Sequence, residues 1–346
     1  MNLTSILLTI INRIDGERKI YAGLHLLRGK RSGQTLQDVE YYGLKEYFGI
    51  LPKLSVEQFN EAANQLADQA LILTMNDSFV KLTDQGRAEV AKIPSHQFNG
   101  WDYRGREMIF FGRLSLTVQT VSNFKAGEKS FMPVQKERDI QDFVKSFLHN
   151  KPIGDFAFSL LVSKEIRVCF TRSGIDDIQK QIITYRMSGF GLSGWTWDQL
   201  SNNLKQNPFD IRLLFIEALH MLLAVIISSS DLPLLRKLAE NVKVSTYMTD
   251  SSVKTKQLFK RGLSIEDIVN VRKLKKSTIE DHFVEMSINE LEFPLTDFVS
   301  EEDIASVIAK VSELETRRLR VLKAEFESLS YFQLRLILGA RTGGEC

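Results

Sequence analysis

The sequence predicts a mainly α-helical protein. An N-terminal winged helix carries a small β-hairpin, a helical middle follows, and a helix-turn-helix domain stands at the C-terminal end. Three observations carry this expectation. Apolar residues recur at helical spacing in most segments, at i, i+3, i+4 and i+7. Two β-favouring runs, LILT and SFVKL, flank a short turn at Met75-Asn76-Asp77. Near the end, two capping residues and two tight turns fall in the register of three short helices. The 346 residues leave room for two or three domains and a sizeable core. The expected boundaries are a winged-helix domain at 1–97, a helical middle at 98–243, a linker at 244–253 and the helix-turn-helix domain with trailing helices at 254–346.

In the N-terminal domain, helices are expected over 17–28, 35–48 and 55–70. Ser55 and Gln58 read as a capping box, and Phe59, Ala63, Leu66 and Ala70 form one helical stripe. After the hairpin, Thr83 starts a last helix, TDQGRAEVAKI. Three helices followed by a hairpin is the winged-helix order. Charge is even along this part, and only Arg28, Lys30 and Arg31 cluster, a second patch for DNA or a partner. The apolar start, MNLTSILLTIINRIDG, has neither a basic region nor a small-residue cleavage site, so no signal peptide is expected.

The middle reads as helical, with runs such as FGRLSLTVQTVSNF and DIQDFVKSFL, while DFAFSLLV fits a strand or a buried helix equally well. The most apolar run, LLFIEALHMLLAVII (213–227), carries Glu217 and His220. It is short for a bilayer crossing and reads as a buried helix, so no membrane partner is expected. Residues 189–194, GFGLSG, match the dinucleotide-binding glycine pattern, which needs a strand before it and a helix N-terminus after it. Ile175, Ile178, Ile182 and Ile183 give helical spacing instead, and Thr196 is placed to cap a helix on the far side. The expectation is a corner in which glycines allow positive φ and close packing. GLHLLRGKRSG (23–33) fails as a phosphate loop, having one residue too many between its glycines and Arg31 in place of the metal-binding hydroxyl.

Other catalytic patterns are missing. The five histidines show no metal-ligand spacing, no nucleophile elbow occurs, and Cys169 and Cys346 lack a nucleophile's context. The expectation is a protein without catalytic residues, metal or cofactor. Two cysteines make no disulfide framework, which fits a reducing, cytoplasmic location, with nucleoid association as a variant.

The C-terminal region concentrates charge. VSTYMTDSSV (244–253) reads as a linker. Leu258 and Phe259 lie on a first helix that stops at Gly262. Ser264 caps a second with Asp267 as its partner, and Ile265, Ile268 and Val269 form its apolar face. A turn at Lys273-Leu274-Lys275 follows. Ser277 is expected to cap a third helix with Glu280, its inner face being Ile279, Phe283 and Met286. Although the whole chain is only +2, residues 254–276 hold Lys254, Lys256, Lys260, Arg261, Arg272, Lys273, Lys275 and Lys276 against Glu266 and Asp267. These cations would hold DNA phosphates by counterion release, with Ser277 and Thr278 donating at the helix N-terminus. Glu280, Asp281 and Glu285 face outward in this reading. They count against base reading and suggest a partner-docking face.

Two stretches add a resemblance. ERKIYAGLHLLRGKRSGQTLQDV with FVKLTDQGR resembles the winged-helix (RQC) domain that follows the motor of RecQ-type helicases. LFKRGLSIEDIVNVRKLKKSTIEDHF, with LSYFQLRLILG near the end, resembles the helix-turn-helix domain at the tail of bacterial RecQ helicases. Both together without a motor resemble the bacterial YpbB-like family. This implies a non-catalytic DNA-binding or adaptor protein acting beside a RecQ-type helicase in DNA repair or recombination. The alternatives are an interaction scaffold without DNA contact and a transcription regulator.

Overall fold

In the computed structural model, residues 1–75, 79–245, 247–290 and 292–340 are described. The expected mainly helical architecture is present, with one two-stranded antiparallel sheet among the described residues. Two compact units divide the chain. One collects residues 1–6, 49–52 and 93–244. The other collects 7–48, 53–92 and the chain from 245 onward.

The first helix, α1 (Leu3–Ile14), went unread in the sequence. Asn2 accepts a hydrogen bond from the Ser5 amide at 2.8 Å, and positive φ at Asp15 and Gly16 ends the helix. Then come α2 (Tyr21–Leu27) and α3 (Gly33–Tyr41), whose amide at Thr35 is capped by Ser32. Both are shorter than expected. A 3-10 turn, Lys45–Tyr47, replaces the rest of the second. In α4 (Val56–Asp68) the Ser55–Gln58 capping box forms as read, burying Phe59, Ala63 and Leu66. Strands β1 (Ile72–Thr74) and β2 (Val80–Leu82) pair Ile72 with Leu82 and Thr74 with Val80. Of the expected turn, Asn76 and Asp77 lie outside the described residues. Thr83 caps α5 (Asp84–Val90), and its hydroxyl donates to the Ala70 carbonyl.

The middle unit contains α6 (Gly100–Tyr103), α7 (Glu107–Lys125), α8 (Arg138–Leu148), α9 (Phe156–Arg172), α10 (Asp177–Tyr185), α11 (Trp197–Leu204), α12 (Pro208–Ser228) and α13 (Pro233–Leu238). DFAFSLLV thus begins a helix, burying Phe158, Val162, Glu165 and Cys169 at i, i+4, i+7 and i+11. At 21 residues α12 is long and apolar enough to span a bilayer, so length does not decide as expected; burial does. Its Leu213, Phe215, Leu219, Leu222 and Ile226 are core residues, and Phe215 meets Phe111 edge-on at 4.8 Å. Glu217 accepts from the Gln97 amide and the Gln179 side chain, while His220 Nδ1 accepts from the Asn99 amide. These polar groups of the helix are therefore satisfied by neighbouring segments of the same unit.

The GFGLSG segment is the expected corner. Gly189 and Leu192 exchange backbone hydrogen bonds, and Gly191 takes φ +68°. A side chain at Gly194 would come within 2.5 Å of the Arg186 carbonyl oxygen. Thr196 and Gln199 cap α11 from within the chain. No strand precedes the glycines, so no phosphate loop exists there.

From residue 250 the chain forms α14 (Asp250–Phe259), α15 (Ile265–Arg272) and α16 (Lys276–Asn289). A 3-10 turn (Leu295–Asp297), α17 (Glu301–Leu314), α18 (Leu319–Glu325) and α19 (Tyr331–Gly339) follow. The expected linker is corrected at its end, because Thr249 caps α14 and Ser252 is buried. Ser264 and Asp267 form their capping box, and left-handed Lys273 (φ +53°) makes the turn. The third helix begins earlier than expected, with Lys275 at its N-cap position, so Ser277 lies inside the first turn and caps nothing.

Helix α16 is the hub of its unit. Residues 282–288 are all buried, and the helix packs on α14, α15, α19 and α3. Phe283 stacks edge-on against Phe259 at 4.9 Å and Phe298 at 5.4 Å. The helices expected as a separate tail domain therefore share a core with the N-terminal ones. Polar clasps fix this union. Arg335 reaches Asp281 at 2.6 Å and Gln37 at 3.2 Å, and Glu17 accepts from Thr316, the Arg317 amide and Tyr42.

Candidate nucleic-acid interface

The sequence counts every cation in 254–276 alike, but the fold sorts them. Lys254, Lys260, Arg261, Lys273 and Lys275 are exposed and make no ion pair among the described residues. Lys276 meets Glu266 at 3.1 Å with both side chains mostly in water. That hydrogen bond holds the Glu266 carboxyl below its usual range. An exposed pair of this kind is weakly held and exchanges readily for a phosphate.

Two expected site residues are withdrawn into the fold. Lys256 is clasped by Glu290 at 2.5 Å, both partly buried. Arg272 turns inward, donating to the Ser251 carbonyl at 2.5 Å and to Thr255 Oγ1 at 2.6 Å. Thr255, fully buried, is in turn 2.8 Å from His282 Nδ1. Burial, then the nearby Arg272 charge, pushes the His282 imidazole below its ordinary range. The neutral ring thus shares a hydrogen bond with the threonine hydroxyl, and this chain of contacts orients α14, α15 and α16.

The acidic residues also sort. Glu285 does not face outward as expected: it is buried, and its carboxylate accepts from the Thr249 amide at 2.5 Å, the Thr249 hydroxyl at 2.9 Å and the Ser252 hydroxyl. It therefore serves the N-terminus of α14, where the helix dipole favours negative charge. Asp281 is held by Arg335, and Glu280 stays half-exposed. A three-carboxylate docking face is therefore not assembled. The 282–288 run, HFVEMSI, carried the signal for this, since apolar residues on several sides of a helix mark one that is buried all round.

Of the second patch, Arg28 donates to the Leu54 carbonyl at 2.7 Å, and Arg31 to the Tyr247 carbonyl at 2.8 Å while lying 3.8 Å from Glu285. Only Lys30 stays exposed without an ion pair among the described residues. The exposed face of α4 offers Glu57, Glu61 and Asp68 and no cation. What faces solvent as a basic surface is the end of α14, the Lys273–Lys275 turn and the first turn of α16. There Ser277 is exposed and Thr278 half-buried, and no side chain caps the helix. Uncapped amides at a helix N-terminus next to lysines suit a phosphate.

Comparison with known proteins agrees with this outline. Residues 251–338 match a family described as a helix-turn-helix domain. Protein YpbB of Bacillus subtilis (strain 168) is 31% identical over 335 residues, covering 94% of each chain. No solved structure matches the chain.

Proposed function

This chain belongs to the family of Bacillus subtilis protein YpbB, and from that premise we propose a non-catalytic, DNA-binding adaptor that works beside a RecQ-type helicase in DNA repair or recombination. The observation that carries the reading is the set of exposed cations around the α15–α16 turn, of which Lys273 and Lys275 make no ion pair among the described residues, next to amides that no side chain caps. Lys273, Lys275 and Lys276 hold phosphates, with Ser277 and Thr278 donating beside them. The helicase partner rests on the sequence resemblance, and a cytoplasmic location goes with it. Burial of α16 counts against a sequence-reading transcription regulator and leaves the scaffold without DNA contact as the rival.

The test is a salt series of duplex-DNA binding by the full chain, beside the Lys273→Glu/Lys275→Glu variant. Each phosphate neutralised contributes about 0.9 to the slope of log affinity against log salt, so the variant should lose about 2 from that slope. An unchanged slope rejects these lysines as the contact. Absence of binding at low salt, with a helicase still co-purifying after nuclease, establishes the scaffold instead.

A further inference from the structure

A second surface lies in the middle unit, independent of the DNA reading. Phe156 is 60% exposed at the start of α9, and Leu160 and Leu161 stand open one turn further on. Lys125 at the end of α7 sets its ammonium 4.5 Å over the Phe156 ring. One turn back on α7, Ser122 Oγ accepts the Phe190 amide at 3.0 Å. That bond pins the glycine corner beside the same helix end, with Phe190 53% and Leu192 74% exposed. Two segments that carry five exposed large apolar side chains thus meet the last turn of α7 through Phe156 and the Phe190 amide. A clustered apolar surface of this kind marks an interaction site rather than ordinary surface scatter.

The charges along the open face of α9 are basic. Lys164 and Arg167 continue the open face of α9 beyond Leu160 and Leu161. The one acid within this helix, Glu165, points inward and accepts the Leu234 and Leu235 amides. Arg172 is already held by Asp231. Asp155 at the cap of α9 and Glu128 just past the end of α7 are acids on the margin. We propose that this face docks an acidic amphipathic helix of a partner protein, its apolar stripe on Phe156, Leu160, Phe190 and Leu192 and its carboxylates on Lys125, Lys164 and Arg167. Helix-in-groove recognition needs this pairing of apolar anchors with complementary flanking charge. Aliphatic leucines among the anchors favour a peptide over stacked bases, whose platforms are aromatic.

The test uses fluorescence anisotropy with the full chain and three probes. Two are labelled amphipathic peptides of about 18 residues with leucines at i, i+3, i+4 and i+7, one filled out with glutamate and the other with lysine. The third is an oligo-dT strand. The glutamate peptide should bind about tenfold or more tightly than the lysine peptide. Leu160→Asp with Phe190→Ser should weaken it by about tenfold or more. Lys164→Glu with Arg167→Glu should invert the preference between the two peptides, an effect that loss of folding cannot produce. Equal affinity for both peptides, or no binding of either, overturns the proposal. Binding of oligo-dT that is lost in Leu160→Asp with Phe190→Ser overturns it in favour of single-stranded nucleic acid.

Discussion

Replacing Glu285 with alanine should destabilise the C-terminal unit more than any loss of surface charge would. The carboxylate is buried and accepts three hydrogen bonds from the start of α14, at Thr249 N, Thr249 Oγ1 and Ser252 Oγ. Leaving a buried donor unsatisfied costs about 1–3 kcal/mol, and bonds to one carboxylate are not additive, so the expected loss is about 3 kcal/mol. Arg31 adds little, because it lies 3.8 Å away and is about a third exposed. Glu285→Gln keeps one carbonyl oxygen and should lose about half as much, and Arg31→Ala less than about 1 kcal/mol. Urea unfolding should be followed by far-ultraviolet circular dichroism. Trp101, Trp195 and Trp197 all lie in the middle unit, so their fluorescence would miss the event. A midpoint for Glu285→Ala indistinguishable from the parent would refute the role assigned to this carboxylate.

His282 gives a pH signature. Its folded pKa is depressed by burial, so below about pH 6.5 the unfolded chain takes up a proton that the folded one resists. Stability from this group is complete above that pH and falls as pH drops, by up to about 1.4 kcal/mol per unit. Acid titration of stability in His282→Asn should lack this component, and an identical pH dependence would contradict it. Gly86 sits inside α5, where alanine normally adds about 1 kcal/mol of helix stability. Here a Cβ would lie 2.1 Å from the Leu71 carbonyl oxygen, so Gly86→Ala should instead lower the melting temperature. A rise would show that the hairpin yields easily.

Caps were the most legible part of the sequence because they are local. Ser55, Thr83, Thr196 and Ser264 each act on an amide three residues away. The start of α16 misled for the same reason: Ser277 and Glu280 have the right spacing, but the chain turns helical at Lys276, and spacing alone carries no φ/ψ. Helix α1 was legible, since Ser5, Thr9, Asn12 and Arg13 recur at i, i+4, i+7 and i+8 opposite the buried Ile6, Ile10 and Ile14, but the run was weighed only as a signal segment. The glycine corner was readable, since helical spacing before Gly189 excluded the strand that nucleotide binding requires. The site was legible only as a total. Glu285 acts 36 residues from Thr249 and Arg272 acts 21 from Ser251, and no periodicity reports such partners. Lys256 and Arg272 therefore entered as ligands for phosphate, and Arg28 and Arg31 as part of a patch for DNA or a partner, and all four emerged with partners inside the fold.

The burial of α16 limits what its domain can do to DNA. A helix is about 10–12 Å across with side chains and the major groove about 12 Å wide, so groove reading needs one face open along several turns. α3, α14, α15 and α19 pack on α16, which is fully exposed only in its first turn and half-exposed at Glu280 and Asp281 before the buried run 282–288. Contact through this end is then confined to phosphates near Lys273, Lys275 and Lys276, which fix register and carry no base information. Such binding typically has dissociation constants of about 10⁻⁴–10⁻⁶ M at physiological salt and is shared by all sequences. A protein with so weak a hold gains a defined place on DNA only when a second contact raises its effective concentration there. On the proposed reading the basic turn holds DNA without choosing a position, and the choice would fall to a second contact.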